Sequence, residues 1–357
     1  MTGLAGRWRW PGRVNGRKLA IFIAALFLFI LAIQLLKSGA RALTPFVGGW
    51  AVHNPLNALG FGWLFAYVVM SGSPVAATTL AFFNDGAISQ FEAFAMIAGS
   101  RFGASLIVLG LGFVYTLRGH ARQGSLSMGL LSLLVTFTTY TPALGLGYWL
   151  LQSGALAGLQ PASVGGVISV LDLVFDPLVG LAAGLLPQPL VFLLGFGVLW
   201  CSLNLIDHAL PDMHLKESAF SGMARLLYRP IVTFALGLLL TSLTMSVSVS
   251  LSVLVPLSAR GYIRRENVIP YIMGANITTF IDTLVAALLL GNPQAFLVVL
   301  AEMISVAVVS LIILLFFYRS YEHAIQAAVE QIGATSRNLA VFLLLIVGAP
   351  LALLVVR

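Results

Sequence analysis

Nine stretches of the chain run for about 20 residues or more on apolar side chains, with at most two charged residues in any of them. They lie near 19–42, 56–83, 88–117, 126–152, 188–209, 230–257, 266–290, 294–317 and 338–356. A segment of that length and polarity is at home in the hydrocarbon of a bilayer, where only internally bonded backbone is tolerated. The expected fold is therefore an all-α polytopic membrane protein. Composition agrees: 9% of residues are charged, against roughly a quarter in water-soluble domains. A tenth stretch, 163–186, carries Asp172 and Asp176 on one helical face. It fits a helix lying in the interface as well as one that spans.

The net charge is +7, and Arg7, Arg9, Arg13, Arg17 and Lys18 all precede the first apolar run. Such a cluster orients a membrane protein with its N-terminus in the cytoplasm, here of the plasma (inner) membrane, and gives no reason to invoke nucleic acid. A basic start, the Leu19 to Leu36 run and Ala40-Arg41-Ala42 also imitate a cleaved signal peptide. The run is longer than usual for one, and an internal counterpart described below argues for a retained helix. One cysteine, Cys201, excludes a disulfide framework and a thiolate metal cage.

Shifted by 175 positions, Gly62 to Leu109 matches Gly237 to Leu284 without gaps, with 10 of 48 pairs identical. The coincidences include Gly62/Gly237, Met70/Met245, Ser71/Ser246, Ser73/Ser248 and Gly99/Gly274. Upstream, Gln34-Leu35-Leu36 faces Asn204-Leu205-Ile206. Each copy is interrupted twice by small and hydroxylic residues: Ser71-Gly72-Ser73-Pro74 and Ser246 to Ser250, then Gly99 to Gly103 and Gly274 to Thr279. Unwound backbone at membrane depth needs a cavity or surrounding protein, and paired interruptions in two halves point to a transporter's binding site.

Charge tests the topology. If 56–83 is a hairpin bent at Ser71 to Pro74, the acidic turn Asn84-Asp85 falls outside while Arg118 and Arg122 fall inside. With 163–186 not crossing, the second copy runs inverted and Arg260, Arg264, Arg265 and Arg319 also fall inside; only Lys37 and Arg41 dissent. The expected fold is two inverted-topology repeats, each with a re-entrant hairpin and a broken transmembrane helix. The organisation reads as a basic segment at 1–18, repeat one at 19–122, connecting helices at 123–187, repeat two at 188–292 and C-terminal helices at 293–357.

A Leu-rich first helix, Asn54-Pro55-Leu56, a serine-rich break and Gly274-Ala275-Asn276-Ile277-Thr278-Thr279 together resemble the sodium/phosphate cotransporter family. That family carries Gln-Ser-Ser-Ser and Gly-Ala-Asn-Ile-Gly-Thr-Thr motifs in each half. The resemblance covers roughly 20–117 and 190–315. Here the first motif has lost its glutamine and a serine in both copies, and Arg101 stands where the other copy has Asn276. The resemblance implies sodium-coupled import of phosphate or another small anion. It places Ser71, Ser73, Ser246, Ser248 and Asn276 at the substrate and Thr278 and Thr279 at sodium; Arg101, the departure, joins the substrate residues and Ser250 and Asp282 the sodium residues on their own chemistry. Sodium is the coupling ion, and no other cofactor or metal is implied; a homodimer is compatible.

A lone arginine at that depth costs about 2.5–3.5 kcal/mol or more without a partner. Arg101 can clamp the anion, stand in for a sodium ion beside Asp282 or Glu302, or form a purely structural ion pair. Other chemistry is poorly supplied. The five histidines lie at segment ends or in loops, so no membrane serine has a general base, and no phosphate-binding GxxxxGK[ST] loop is present. An enzyme or ATP-driven pump is not expected. Three readings stay open: a sodium-coupled anion carrier, an uncoupled or proton-coupled carrier or channel on the same fold, and a non-transporting membrane partner.

Overall fold

A computed structural model describes residues 16–47, 49, 52–117, 122–161, 165–209, 229–245, 250 and 265–356. Among the described residues there is no strand. The helices are α1 (Gly16–Ala40), α2 (Pro55–Val69), α3 (Ser73–Asn84), α4 (Gln90–Leu117), α5 (Arg122–Ser153), α6 (Gly165–Leu185) and α7 (Gln188–Ala209), then α8 (Pro230–Thr244), α9 (Arg265–Thr278), α10 (Ile281–Leu290), α11 (Pro293–Ile312), α12 (Tyr318–Gly333) and α13 (Ser336–Val355). Seven helical stretches among the described residues are long and apolar enough to cross a membrane, and the protein is an all-α, multi-pass membrane protein. α2 and α8, with 15 residues each, are apolar but short.

Local sequence sets the boundaries. Asn54 caps α2 by accepting from the Asn57 amide at 2.9 Å, with Pro55 in the first turn, and Asn292-Pro293 does the same for α11. α2 ends on Met70 at φ 56° and α8 on Met245 at φ 53°, the two non-glycine residues with positive φ among those described. That backbone is strained for a side chain with a Cβ, so both helices are stopped at a defined residue. The two residues are 175 positions apart, as the sequence match requires.

The same spacing governs the packing. Gly62 on α2 lies against the Met96 carbonyl of α4, and Gly237 on α8 against the Tyr271 carbonyl of α9. Gly99 lies on the Leu59 carbonyl, and Gly274 on that of Phe234. A Cβ at any of the four would overlap backbone, so only glycine permits these crossings. α1 and α7 run antiparallel: Gly39 abuts Phe192, Gly195 abuts Leu35, and the Ser202 hydroxyl donates to the Ala25 carbonyl at 2.8 Å.

Two breaks in the chain are where the sequence puts them, and one is not. α2 gives way to α3 across Met70 to Gly72, and α9 gives way to α10 at Thr279-Phe280. The expected break at Gly99 to Gly103 is corrected: α4 is continuous from Gln90 to Leu117. Its small residues serve close packing instead. Gly103 lies on the Trp63 carbonyl, while the Ser100 and Ser105 hydroxyls turn back onto Ile97 and Phe102 within the helix. Ser246, Ser248, Arg118, Arg260 and Arg264 lie outside the described residues.

At one end of the bundle Arg41 meets Asp85 at 3.4 Å, Thr44 donates to the same carboxylate at 2.6 Å, and Asn292 donates to Asn84 at 3.2 Å. Arg41, which opposed the charge pattern, thus has an acidic partner on its own side. Within the stretch 163–186, Gly165–Leu185 form helix α6, with Leu173, Leu181 and Leu185 exposed, Phe175 packed on Phe27, and Asp172 accepting from buried Gln34 at 3.3 Å.

Gly62→Val and Gly237→Val should each abolish recovery of folded protein or lower its thermal midpoint strongly, and by similar amounts. Gly180→Ala, which meets open space, should be neutral; thermal unfolding in detergent checks all three.

Candidate functional site

Both left-handed methionines open onto one cavity. Its walls come from the α2–α3 break (Met70, Ser71, Gly72, Ser73), from α4 (Arg101, Ser105), from α5 (Ser132, Thr136, Tyr140), from α7 (Asp207), and from the second copy (Met245, Asn276, Thr279). At about 90 Å³ it is well below the roughly 300–1,000 Å³ of sites for drug-sized ligands. Its scale is that of a small ion with a little water.

Arg101 is the centre of this arrangement. α4 carries it inward to 5% exposure. One terminal nitrogen reaches the Ser73 and Thr279 hydroxyls, each at 3.4 Å, and the other donates to Thr283 at 2.8 Å and lies 3.8 Å from Asp282. The guanidinium also rests 4.5 Å above the Phe280 ring. It therefore ties the start of α3 to the α9–α10 break. Of its five donors, Nε is without a hydrogen-bond partner, and the two 3.4 Å contacts are long. Donor capacity is left over for a ligand.

The remaining site residues divide by what they touch. Ser71 and Ser73 line the cavity where α3 begins, and that helix end adds its own positive field. Asn276 lines it too, donating through its side-chain amide to Thr136 at 3.1 Å while its backbone carbonyl accepts from Tyr140 at 2.9 Å. Of the four residues set beside sodium, Thr279 and Asp282 face Arg101. Ser250 is held instead between Thr241 and Tyr271, at 2.7 and 2.6 Å, and Thr278 donates to the Leu238 carbonyl at 3.0 Å. The four residues thus fall into two groups, one around Arg101 and one in the α8–α9 interface.

Some residues here were not singled out from sequence. Tyr140 and Thr136 sit on α5, outside the repeat, and nothing local marks them. Asp207 had a usable signal, being a carboxylate inside an apolar run. Glu302, which the sequence does offer as a partner for Arg101, is 1% exposed on α11, and its Oε1, like Oδ2 of Asp282, has no hydrogen-bond partner.

Removing one member of a buried ion pair leaves the other uncompensated, typically at a cost of about 3–5 kcal/mol. Arg101→Met should therefore destabilise the protein strongly, and adding Asp282→Asn should restore much of the loss. Thermal unfolding of the two variants in detergent measures this; equal destabilisation by single and double variant would show the pair to be inert.

Over 110 residues the chain is 33% identical to sodium-dependent phosphate transport protein 2B of Homo sapiens and, equally, to that of Pongo abelii. The match covers 30% of this chain and 16% of each relative. No family model matches the chain, and no solved structure does. The similarity makes the chain a distant relation of that transport protein.

Proposed function

We propose that the protein is a secondary active transporter of a small oxyanion, with sodium-coupled phosphate import as the leading reading. The observation that carries it is the cavity itself: helix breaks from both halves of the chain and a buried guanidinium meet at a volume suited to one small ion. Hydroxyls of Ser71 and Ser73, the amide of Asn276 and the unspent donors of Arg101 suit an anion with several acceptor oxygens. Ser246 and Ser248, outside the described residues, match Ser71 and Ser73 at the 175-residue offset and would join this set on that ground. The printed name of the distant relatives, a sodium-dependent phosphate transport protein, supports the same substrate and coupling ion.

The architecture on this reading is a pair of inverted repeats, 19–122 and 188–292, with connecting helices at 123–187 and C-terminal helices at 293–357. Three features support it. The glycine crossings of α2 on α4 and α8 on α9 use residues 175 apart. The left-handed stops at Met70 and Met245 share that offset. The first helices of the two copies, α1 and α7, pack antiparallel, as inversion demands. α2 and α3, with 15 and 12 residues, are each too short to cross, which suits a re-entrant hairpin.

A second reading has one observation in its favour. Arg101 puts a fixed positive charge against Thr279, Thr283 and Asp282, of which Thr279 and Asp282 are the residues set beside a sodium ion. A covalently held cation there reduces or replaces sodium coupling, leaving a uniporter or a proton-coupled carrier.

Uptake of labelled phosphate into proteoliposomes separates the readings. An inward sodium gradient should raise the initial rate over a potassium control, and Asn276→Ala should lower it. Uptake indifferent to sodium but driven by a proton gradient selects the second reading. Failure of a folded preparation to take up phosphate, arsenate or sulfate under any gradient overturns both.

A further inference from the structure

Asp207 is the residue that fits an anion cavity least well. It lies on α7 with Leu203 and Ile206, and all three line the same cavity as Arg101, Ser73 and Asn276. It is half-buried, and no hydrogen bond to its carboxylate is present among the described residues. His208 beside it is exposed and bonded to the Asn204 carbonyl at 2.7 Å. Arg101, the cationic side chain in the cavity wall, already has Asp282 as its ion partner. An ionised carboxylate only accepts hydrogen bonds. An oxyanion held by Arg101 and the serines in so small a space meets Asp207 on another side. If the facing oxygen is bare, two acceptors oppose each other and both lose solvation without gaining a bond.

From this, and resting on the anion-transport reading, we infer that Asp207 selects oxyanions that carry a hydrogen, by accepting the ligand's own O–H. Phosphate and arsenate retain a hydrogen at neutral pH; sulfate and selenate do not. The four are similar tetrahedral anions, so size and shape barely separate them. The carboxylate separates them by a bond that two can make and two cannot. A cation at Asp207 is a poorer match, because it would share about 90 Å³ with a guanidinium and the positive end of α3. A donated hydrogen bond satisfies the carboxylate without adding a charge.

Competition against labelled phosphate on the purified full chain, in detergent with sodium present, tests this. Arsenate should displace phosphate at comparable concentration. Sulfate and selenate should be weaker by on the order of tenfold to a hundredfold, the cost of leaving a charged acceptor unpaired. Asp207→Asn can donate to a bare oxygen, so it should gain sulfate binding and lose most of the preference. The wild-type series needs no variant and decides the matter if Asp207→Asn does not fold. Equal displacement by all four anions overturns the role of Asp207 and leaves the anion reading standing. An unchanged preference in folded Asp207→Asn also overturns it. So does loss of sodium-dependent stabilisation in Asp207→Asn with anion selectivity intact, which makes Asp207 a cation ligand. If the wild type binds no oxyanion, the transport reading fails and this inference with it.

Discussion

A guanidinium inside an apolar helix bundle dictates much of what surrounds it. The cost of burying Arg101 at 5% exposure is met from several directions at once: hydroxyls of Ser73, Thr279 and Thr283, the Asp282 carboxylate and the Phe280 ring. All but Ser73 come from the turn at Thr279-Phe280 and the start of α10, and Ser73 opens α3. Arg101 therefore joins two interruptions that are far apart in sequence. Thr279, Asp282 and Thr283 stand three and four residues apart, the spacing that shares one helix face, so their convergence on the guanidinium follows from helical periodicity. Phe280, in the turn itself, adds its ring beneath the charge.

Rigid packing behind the breaks makes such a site tenable. Gly62, Gly99, Gly237 and Gly274 let helices approach to backbone contact, which in lipid supplies van der Waals attraction that apolar side chains alone do not. The strained residues Met70 and Met245 follow directly on helices seated this way. A left-handed methionine costs on the order of 1–3 kcal/mol and persists where its surroundings over-determine it. Two of them at matching positions, both on the cavity wall, indicate that strain is kept where it shapes the site.

Much of this was legible in the sequence, for identifiable reasons. Glycine identity at a fixed offset survives because no other residue fits, so the crossings announce themselves. The α2–α3 and α9–α10 breaks follow from clustered small and hydroxylic residues. The same composition misled at Gly99 to Gly103, since small residues serve close packing as readily as unwinding, and only the presence of α2 alongside decides between them. Arg101 stood out as a charge at depth and Asp282 as a partner for it, and the two do meet, but Thr283 and Phe280 did not, because they are unremarkable in any apolar run. Asp207 carried the same signal as Arg101 and was overlooked at the end of its helix. Tyr140 and Thr136 lie on α5, beyond the stretch that matches at the 175-residue offset, and their place follows from tertiary packing alone.

The charges around the cavity also bear on how a carrier of this kind would couple. Arg101 has Asp282 as its ion partner, 3.8 Å away, while Asp207 stands on the cavity wall and Glu302 is buried on α11 with one oxygen unpartnered. Buried charges are kept only when paired or neutralised. An incoming anion adds to the side already in excess, so it needs positive charge from elsewhere: a metal cation, a proton, or a hydrogen that it brings itself. A positive charge admitted with the anion lowers the cost of its entry, and the anion in turn favours retention of that charge, because coupling between two ligands is reciprocal. The carboxylates, which look misplaced beside an anion, are on this view what makes its binding conditional on a second species.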